Sequence, residues 1–305
     1  MTDRVLVTGA GGFVGRHAAR AFHGLGMEVV GIDRISLDET ARAEIGLSAY
    51  VCRDISAEGL AACGTPSIIV HCAGGASIGA SNLHPALDFT DTVSCFNILL
   101  EYCRTNCPDT RLIYISSAAI YGSGYSEPIA EDSDSRPISP YGLHKNLCEQ
   151  MLQFYGRRDG LKGVCVRPFS VYGPGLRKQL LWDAVRKLST GQATFSGSGE
   201  EQRDWVHIED VAALLVLAAR HASPVTPICN AATQIGVSVR DILGLLTAVI
   251  DPGQKLVFDG IQRDGDPEYL VGSADIAQSW GWTPRVSWRG GISDYVRWAL
   301  NAIAI

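Results

Sequence analysis

The run Tyr141-Gly142-Leu143-His144-Lys145 holds the residue types and spacing best suited to chemistry in this 305-residue chain. A tyrosine and a lysine four apart on a helix lie on one face, a turn from each other. An undisturbed phenol titrates near pH ~10, and a fixed positive charge one turn away favours its ionised form. A tyrosine so placed can take a proton from an alcohol or give one to a ketone near neutral pH. The same spacing recurs by chance on many helices, so its weight depends on the elements that precede it.

Those elements alternate. Arg4 to Thr8 reads as a short buried strand, followed at once by Gly9-Ala10-Gly11-Gly12-Phe13-Val14-Gly15 and a helical run ending at Gly24 and Gly26. Strand, glycine-rich turn and helix is the context of a phosphate-binding fingerprint. Gly9 makes the tight turn, Gly12 lets the backbone approach a pyrophosphate, and Gly15 lets helix and strand pack closely. Phe13 and Val14 are cofactor candidates within this turn, and the helix after it offers free N–H groups and a dipole that favour an anion. A second strand, Glu28 to Asp33, ends in an acid that can bind adenosine ribose hydroxyls and repel a 2′-phosphate. Asp33 therefore favours NAD, while Arg34 beside it leaves NADP open.

Further strands are expected at 49–52, 67–71 and 111–115, with a long helix from Pro85 to Asn106. Asp54-Ile55 would lie near the adenine edge of a dinucleotide, and Ala73-Gly74-Gly75 would let a flat cofactor lie against backbone. The alternation predicts a doubly wound parallel sheet of α/β class, with ligands outside the carboxyl ends of its strands. The fifth strand runs into Ser116-Ser117, where a serine could hold a reacting oxygen toward Tyr141. An acidic, proline-bearing loop follows, its carboxylates Glu127, Glu131, Asp132 and Asp134 read as solvated. Ser139 as N-cap and Pro140 at the first position then start the helix of Tyr141 and Lys145.

Composition bounds the class. The chain is 46% hydrophobic and 19% charged, enough for a large core. A net charge of −6 argues against a general nucleic-acid binder. Nine cysteines without a C-x-x-C pair or zinc spacing read as scattered reduced thiols of a cytoplasmic protein, with no metal site expected. The start runs straight into a strand, without a signal peptide, and no apolar run approaches the ~18 residues of a membrane span.

Taken together, the chain resembles the extended short-chain dehydrogenase/reductase family, in its nucleotide-sugar epimerase and dehydratase branch. The resemblance rests on TGAGGFVG at 8–15, Asp33, HCAGG at 71–75, SSAAIYG at 116–122, YGLHK at 141–145, RPFSVYGPG at 167–175, QRDWVHIEDVA at 202–212 and GDPEYLVGSADIAQSWGWTP at 265–284. It implies Ser117, Tyr141 and Lys145 as the catalytic trio, with Ser116 at the cofactor and Pro168 against the nicotinamide. It further implies a Rossmann domain over 1–168, with returns near 204–230, and a mainly substrate-binding lobe over 169–305. Ser117, Ser170, Arg203 and Arg263 would meet the nucleotide sugar, and a homodimer through two helices is expected. Two departures stand out. Asp91 replaces the family's usual asparagine, followed by Ser94-Cys95 in place of Gly-Thr. Ala118-Ala119 replace the Asp-Glu pair of the 4,6-dehydratases, which disfavours water elimination.

In the C-terminal half, Arg177 and Lys178 are further candidates for a diphosphate. His207 reads as a packed histidine, and Trp280, Trp282, Trp288 and Trp298 as core of the smaller lobe, while Trp182 is a candidate for the sugar pocket. The function expected is an NAD-dependent nucleoside-diphosphate-sugar 4-epimerase passing through a 4-keto intermediate. The alternative is an NAD(P)H-dependent reductase of a nucleotide-linked 4-keto-6-deoxy sugar using the same trio.

Overall fold

The structure, a computed structural model, describes residues 3–261 and 266–304. In chain order its elements are β1 (Arg4–Thr8), α1 (Phe13–His23), β2 (Glu28–Asp33), α2 (Glu39–Ile45), β3 (Ala49–Cys52), α3 (Ala57–Ala61), β4 (Ile68–His71), α4 (Ile78–Leu83), α5 (Pro85–Phe89), α6 (Cys95–Asn106), β5 (Arg111–Ile115), α7 (Pro140–Asp159) and β6 (Lys162–Pro168). They continue as β7 (Ser170–Tyr172), α8 (Gln179–Ser189), β8 (Thr194–Phe195), β9 (Gln202–His207), α9 (Ile208–Ala218), β10 (Ile228–Ala231), β11 (Gly236–Ser238), α10 (Val239–Ile250), β12 (Val257–Phe258), β13 (Tyr269–Leu270), α11 (Asp275–Ser279) and α12 (Trp288–Ile303).

Seven strands form one sheet in the order β10-β6-β5-β4-β1-β2-β3. The pairs from β3 across to β6 are parallel. Such strands carry apolar side chains on both faces because helices cover both; Val5, Leu6, Val7, Ile68, Ile69 and Val70 are fully or almost fully buried. The chain leaves β1 toward β2 and β3, then returns to β4 on β1's other side. This reversal is the switch point where a doubly wound sheet opens a crevice.

The helix expected from Pro85 to Asn106 is present but interrupted. Thr90–Ser94 forms a π turn between α5 and α6. Such a bulge accommodates one extra residue in a helix and is frequent at functional sites. Downstream of it, Phe96, Leu99, Leu100 and Cys103 reach the core with Cys148 and Leu152 of α7.

Helix α7 starts as expected: the Ser139 hydroxyl accepts from Gly142 N, Pro140 occupies the first turn, and Gly160 ends the helix at φ +75°. Its middle is fixed by a buried ion pair. Arg167 of β6 donates to both Glu149 oxygens, at 2.9 and 2.7 Å. The same guanidinium donates to the Tyr121 hydroxyl at 2.7 Å, which donates to Asn230 Oδ1 at 2.8 Å. The network satisfies each group that burial would otherwise penalise.

By internal contacts, one compact unit comprises 1–122, 134–167 and 212–230, and a second comprises 123–133, 168–211 and 231–305. In the second unit, β9 pairs with β7 and β13 in parallel and with β11 antiparallel. Asp204 on β9 is fully buried and accepts from Thr233 N, Thr233 Oγ1, Gln234 N and Gly272 N. Of the four tryptophans assigned to this core, only Trp282 is buried, with its indole N–H donating to the Asp210 carbonyl. Trp280, Trp288 and Trp298 are half-buried, and Trp205 on β9 is the other buried indole. A tryptophan needs a large enclosed volume, and the five-residue α11 and the amphipathic α12 offer only one side.

Candidate active site

The glycines after β1 form a cradle that side chains would close. Gly9 has φ +66°, and a Cβ there would stand 2.8 Å from Ala73 N. A Cβ on Gly15 would stand 2.1 Å from the Gly9 carbonyl oxygen, so α1 packs on the turn only because that position is bare. Gly12 is the N-cap of α1, and no side chain caps it. The N–H groups opening the helix at Phe13 and Val14 are thus left without a side-chain cap, as an anion site requires. Asp33 closes β2 and accepts from Gly11 N at 2.9 Å and Ile35 N at 3.2 Å. A carboxylate has about four acceptor positions, so capacity remains for ribose hydroxyls. Asp54 is exposed and Ile55 half-buried just beyond β3.

Beyond β4, Ala73 N donates to Thr8 Oγ1 at 3.4 Å and Gly75 N to Thr92 Oγ1 at 2.9 Å. A Cβ on Gly75 would stand 2.0 Å from Asp88 Oδ1, so a side chain there would displace the Asp88 carboxylate. Asp88 in turn holds His144 Nδ1 at 2.5 Å, both residues being buried. Nothing in the sequence points to these partners of the Ala73–Gly75 loop. His71, ending β4, is fully enclosed, with Nδ1 2.8 Å from Thr8 Oγ1. Burial, helped by the Lys145 charge, pushes its pKa down to about 3. Unfolded, the imidazole titrates near ~6.5, so the stability it contributes is complete above that pH and is lost as pH falls toward about 3. Urea midpoints measured between pH 7 and pH 4 should therefore carry a His71 share of up to ~1.4 kcal/mol per pH unit. His71→Asn should flatten that acid slope; an unchanged slope would mean the imidazole charges in the folded state.

The candidate catalytic groups converge on the N-terminal turns of α7. Lys145 is buried, donates to the Ile115 carbonyl at 2.9 Å and lies 5.2 Å from the Tyr114 ring centroid and 5.8 Å from that of Tyr141. Tyr141 is held from behind, its N–H donating 3.1 Å to Ser81 Oγ of α4. Ser117 caps a short 3₁₀ turn at 118–120, accepting from Ala119 N at 3.1 Å. Gly142 joins the two segments: a Cβ there would stand 2.4 Å from the Ala119 carbonyl oxygen. A residue following Tyr141 with any side chain would push α7 away from the serine turn. The sequence carries a signal of this, since glycine in a helix's first turn weakens it without a local reason. Gly142→Ala should accordingly lower kcat at least tenfold while circular dichroism shows the fold retained, because a displacement of ~1 Å is costly to alignment. Ser116 Oγ is buried with no protein partner, an orphan polar atom facing the need for a ligand.

The other sequence candidates divide. Pro168 ends β6 and Ser170 opens β7. Arg203 is nearly buried and reaches the Gln202 carbonyl at 3.0 Å and Asp266 at 3.5 Å. Arg263 lies outside the described residues. Arg177 lies 5.9 Å from the ring centroids of both Trp182 and Trp298. His207 is packed, accepting from Glu209 N and meeting Tyr172 edge-on.

A doubly wound sheet, a bare-backbone cradle at its switch point and a tyrosine–lysine helix beside it define a dinucleotide-dependent enzyme. Residues 5–232 match the NAD dependent epimerase/dehydratase family, and the chain belongs to that family as an NAD-dependent enzyme. Among its relatives is a UDP-glucose 4-epimerase of Azospirillum brasilense, 29% identical across 98% of this chain and 92% of that one. The solved UDP-glucose 4-epimerase of Thermotoga maritima with UDP-glucose superposes with a TM-score of 0.89 at 26% identity, covering 98% and 99% of the two chains. The Thermus thermophilus UDP-glucose 4-epimerase in complex with NAD gives 0.87 at 28% identity, with coverage of 98% and 99%. The residues present fit NAD: uncapped helix, ribose acid, glycine cradle and unpartnered Ser116 each match a part of it. Among the described residues, no cluster could hold a metal and no helix is long and apolar enough to cross a membrane.

Proposed function

We propose that this chain is a nucleoside-diphosphate-sugar 4-epimerase, acting on UDP-hexoses by transient oxidation at C4. The observation that carries the reading is the meeting of Tyr141, Lys145 and the Ser117 turn through Gly142, beside the glycine cradle. NAD held by the glycine turn and Asp33 would supply the redox chemistry, as a reversible hydride acceptor for C4. The Tyr141 oxygen takes the C4 hydroxyl proton as the C–H bond is broken, and gives it back when the 4-keto group is reduced. Ser117 shares the hydrogen bond to that oxygen. Lys145, anchored on the Ile115 carbonyl, holds positive charge beside the tyrosine ring. Arg203 and Ser170 bind the substrate's diphosphate end, as Arg263 would. Inversion would follow from the keto sugar turning over before it is reduced.

Ala118 and Ala119 offer no acid or base after Ser117, which supports epimerisation over elimination. The relatives named above carry epimerase names, and none of these favours the 4-ketoreductase. The test is direct. Protein purified with its bound dinucleotide is incubated with UDP-glucose and related UDP-hexoses without added cofactor. Interconversion of C4 epimers is the expected result; turnover only with added NAD(P)H, consumed one for one, would replace this reading with the reductase. We further propose a homodimer through α5, α6 and α7, where Leu87, Phe89, Ile98, Leu143 and Phe154 are exposed. Light scattering of the eluted peak should give twice the 32.7 kDa chain mass.

A further inference from the structure

Arg34 follows the ribose acid directly, yet its side chain is engaged elsewhere. Its Nη2 lies 3.1 Å from Asp91 Oδ1. Asp91 belongs to the π turn between α5 and α6. Its backbone oxygen would stand 3.6 Å from a Cβ on Gly74. The pair therefore reaches from the end of β2 toward the loop after β4. The hydrogen bond to Asp91 is also the largest influence on the guanidinium, raising its pKa, with Asp54 and Asp33 adding smaller attractions. An arginine beside the ribose acid is the group that accommodates a 2′-phosphate when a dinucleotide carries one. Here it faces three carboxylates and is bonded to one.

We propose that Asp91 is a specificity-determining residue for the dinucleotide: by engaging Arg34 and adding negative charge beside it, Asp91 withholds that guanidinium from a 2′-phosphate and disfavours NADP. This rests on the reading that the adenosine ribose lies at Asp33. The arginine is 58% exposed and the aspartate 29%, so the tie is of the kind that contributes modestly. Removing it should shift selectivity by a factor of about two to five rather than invert it.

The experiment reads retained nucleotide, not turnover. Protein is exchanged against an equimolar excess of NAD and NADP, washed and denatured, and the released NADP:NAD ratio is measured by chromatography. Asp91→Ala and the near-isosteric Asp91→Asn should each raise the ratio about two- to fivefold over the unaltered chain. Adding Arg34→Ala to either should cancel the gain. A ratio unmoved by both aspartate variants would overturn the proposal, as would a gain that survives loss of Arg34, which would assign the 2′-phosphate to another cation such as Arg53. Asp33→Asn serves as the control. It should raise the NADP share by itself; if it does not, the ribose is not at Asp33 and the placement fails, taking this proposal with it.

Discussion

Tyr141→Phe is expected to lower turnover by about 10³-fold, the scale of a lost general acid–base group. The substitution removes one oxygen and little else. The ring keeps its place because Tyr141 is positioned through its backbone N–H on Ser81 and through Gly142 against Ala119. The Lys145 ammonium keeps both an aromatic neighbour and its bond to the Ile115 carbonyl. The turn proposed to hold the dinucleotide consists of bare backbone and Asp33, none of which the substitution touches. Released nucleotide per chain should therefore match that of the unaltered protein while kcat collapses. Activity within tenfold of normal would end the assignment of Tyr141 as proton carrier.

Glu149→Ala should have the largest effect on stability, a loss of about 3–5 kcal/mol. Glu149 and Arg167 expose only 3% and 4% of their side chains. Removing the carboxylate strands a guanidinium between β6 and α7, with the neutral Tyr121 hydroxyl still beside it but no opposite charge from Glu149. The comparison that isolates this cause is the double replacement Glu149→Leu with Arg167→Met. Taking out both charges should recover much of the loss, because the penalty lies in the orphaned charge rather than in the missing attraction. Urea unfolding of the three proteins measures it. If the double variant were no better than Glu149→Ala, packing rather than charge would account for the cost.

Local chemistry makes much of the site legible in the sequence. Gly9, Gly12, Gly15 and Asp33 reveal themselves because a glycine turn between strand and helix has few other uses, and Ser139-Pro140 announces a helix start in two residues. What stays hidden are partnerships across long stretches of chain. Asp88 and His144 are 56 positions apart, and nothing in either segment's periodicity points to the other. Asp91 stands out as a departure from the family pattern, but its pairing with Arg34 depends on how the helix after β4 is phased. The segment 123–133 falls with the second unit rather than with the residues on either side of it, through the bridge of Ile129 to Gly272. A loop of small residues and acids has no pattern that tells which sheet it will border.

The π turn at Thr90–Ser94 carries a consequence for how this segment tolerates length change. Each residue advances an α-helix by about 100°. A π turn takes up the angle of one residue by winding more widely. Deleting one residue within it would let α5 run unbroken into α6 with Phe96, Leu99 and Leu100 still turned toward the sheet, whereas a deletion inside α6 would swing everything beyond the cut by that angle. The turn is thus slack wound into a continuous rod, a stretch able to lose a residue without losing its bearing.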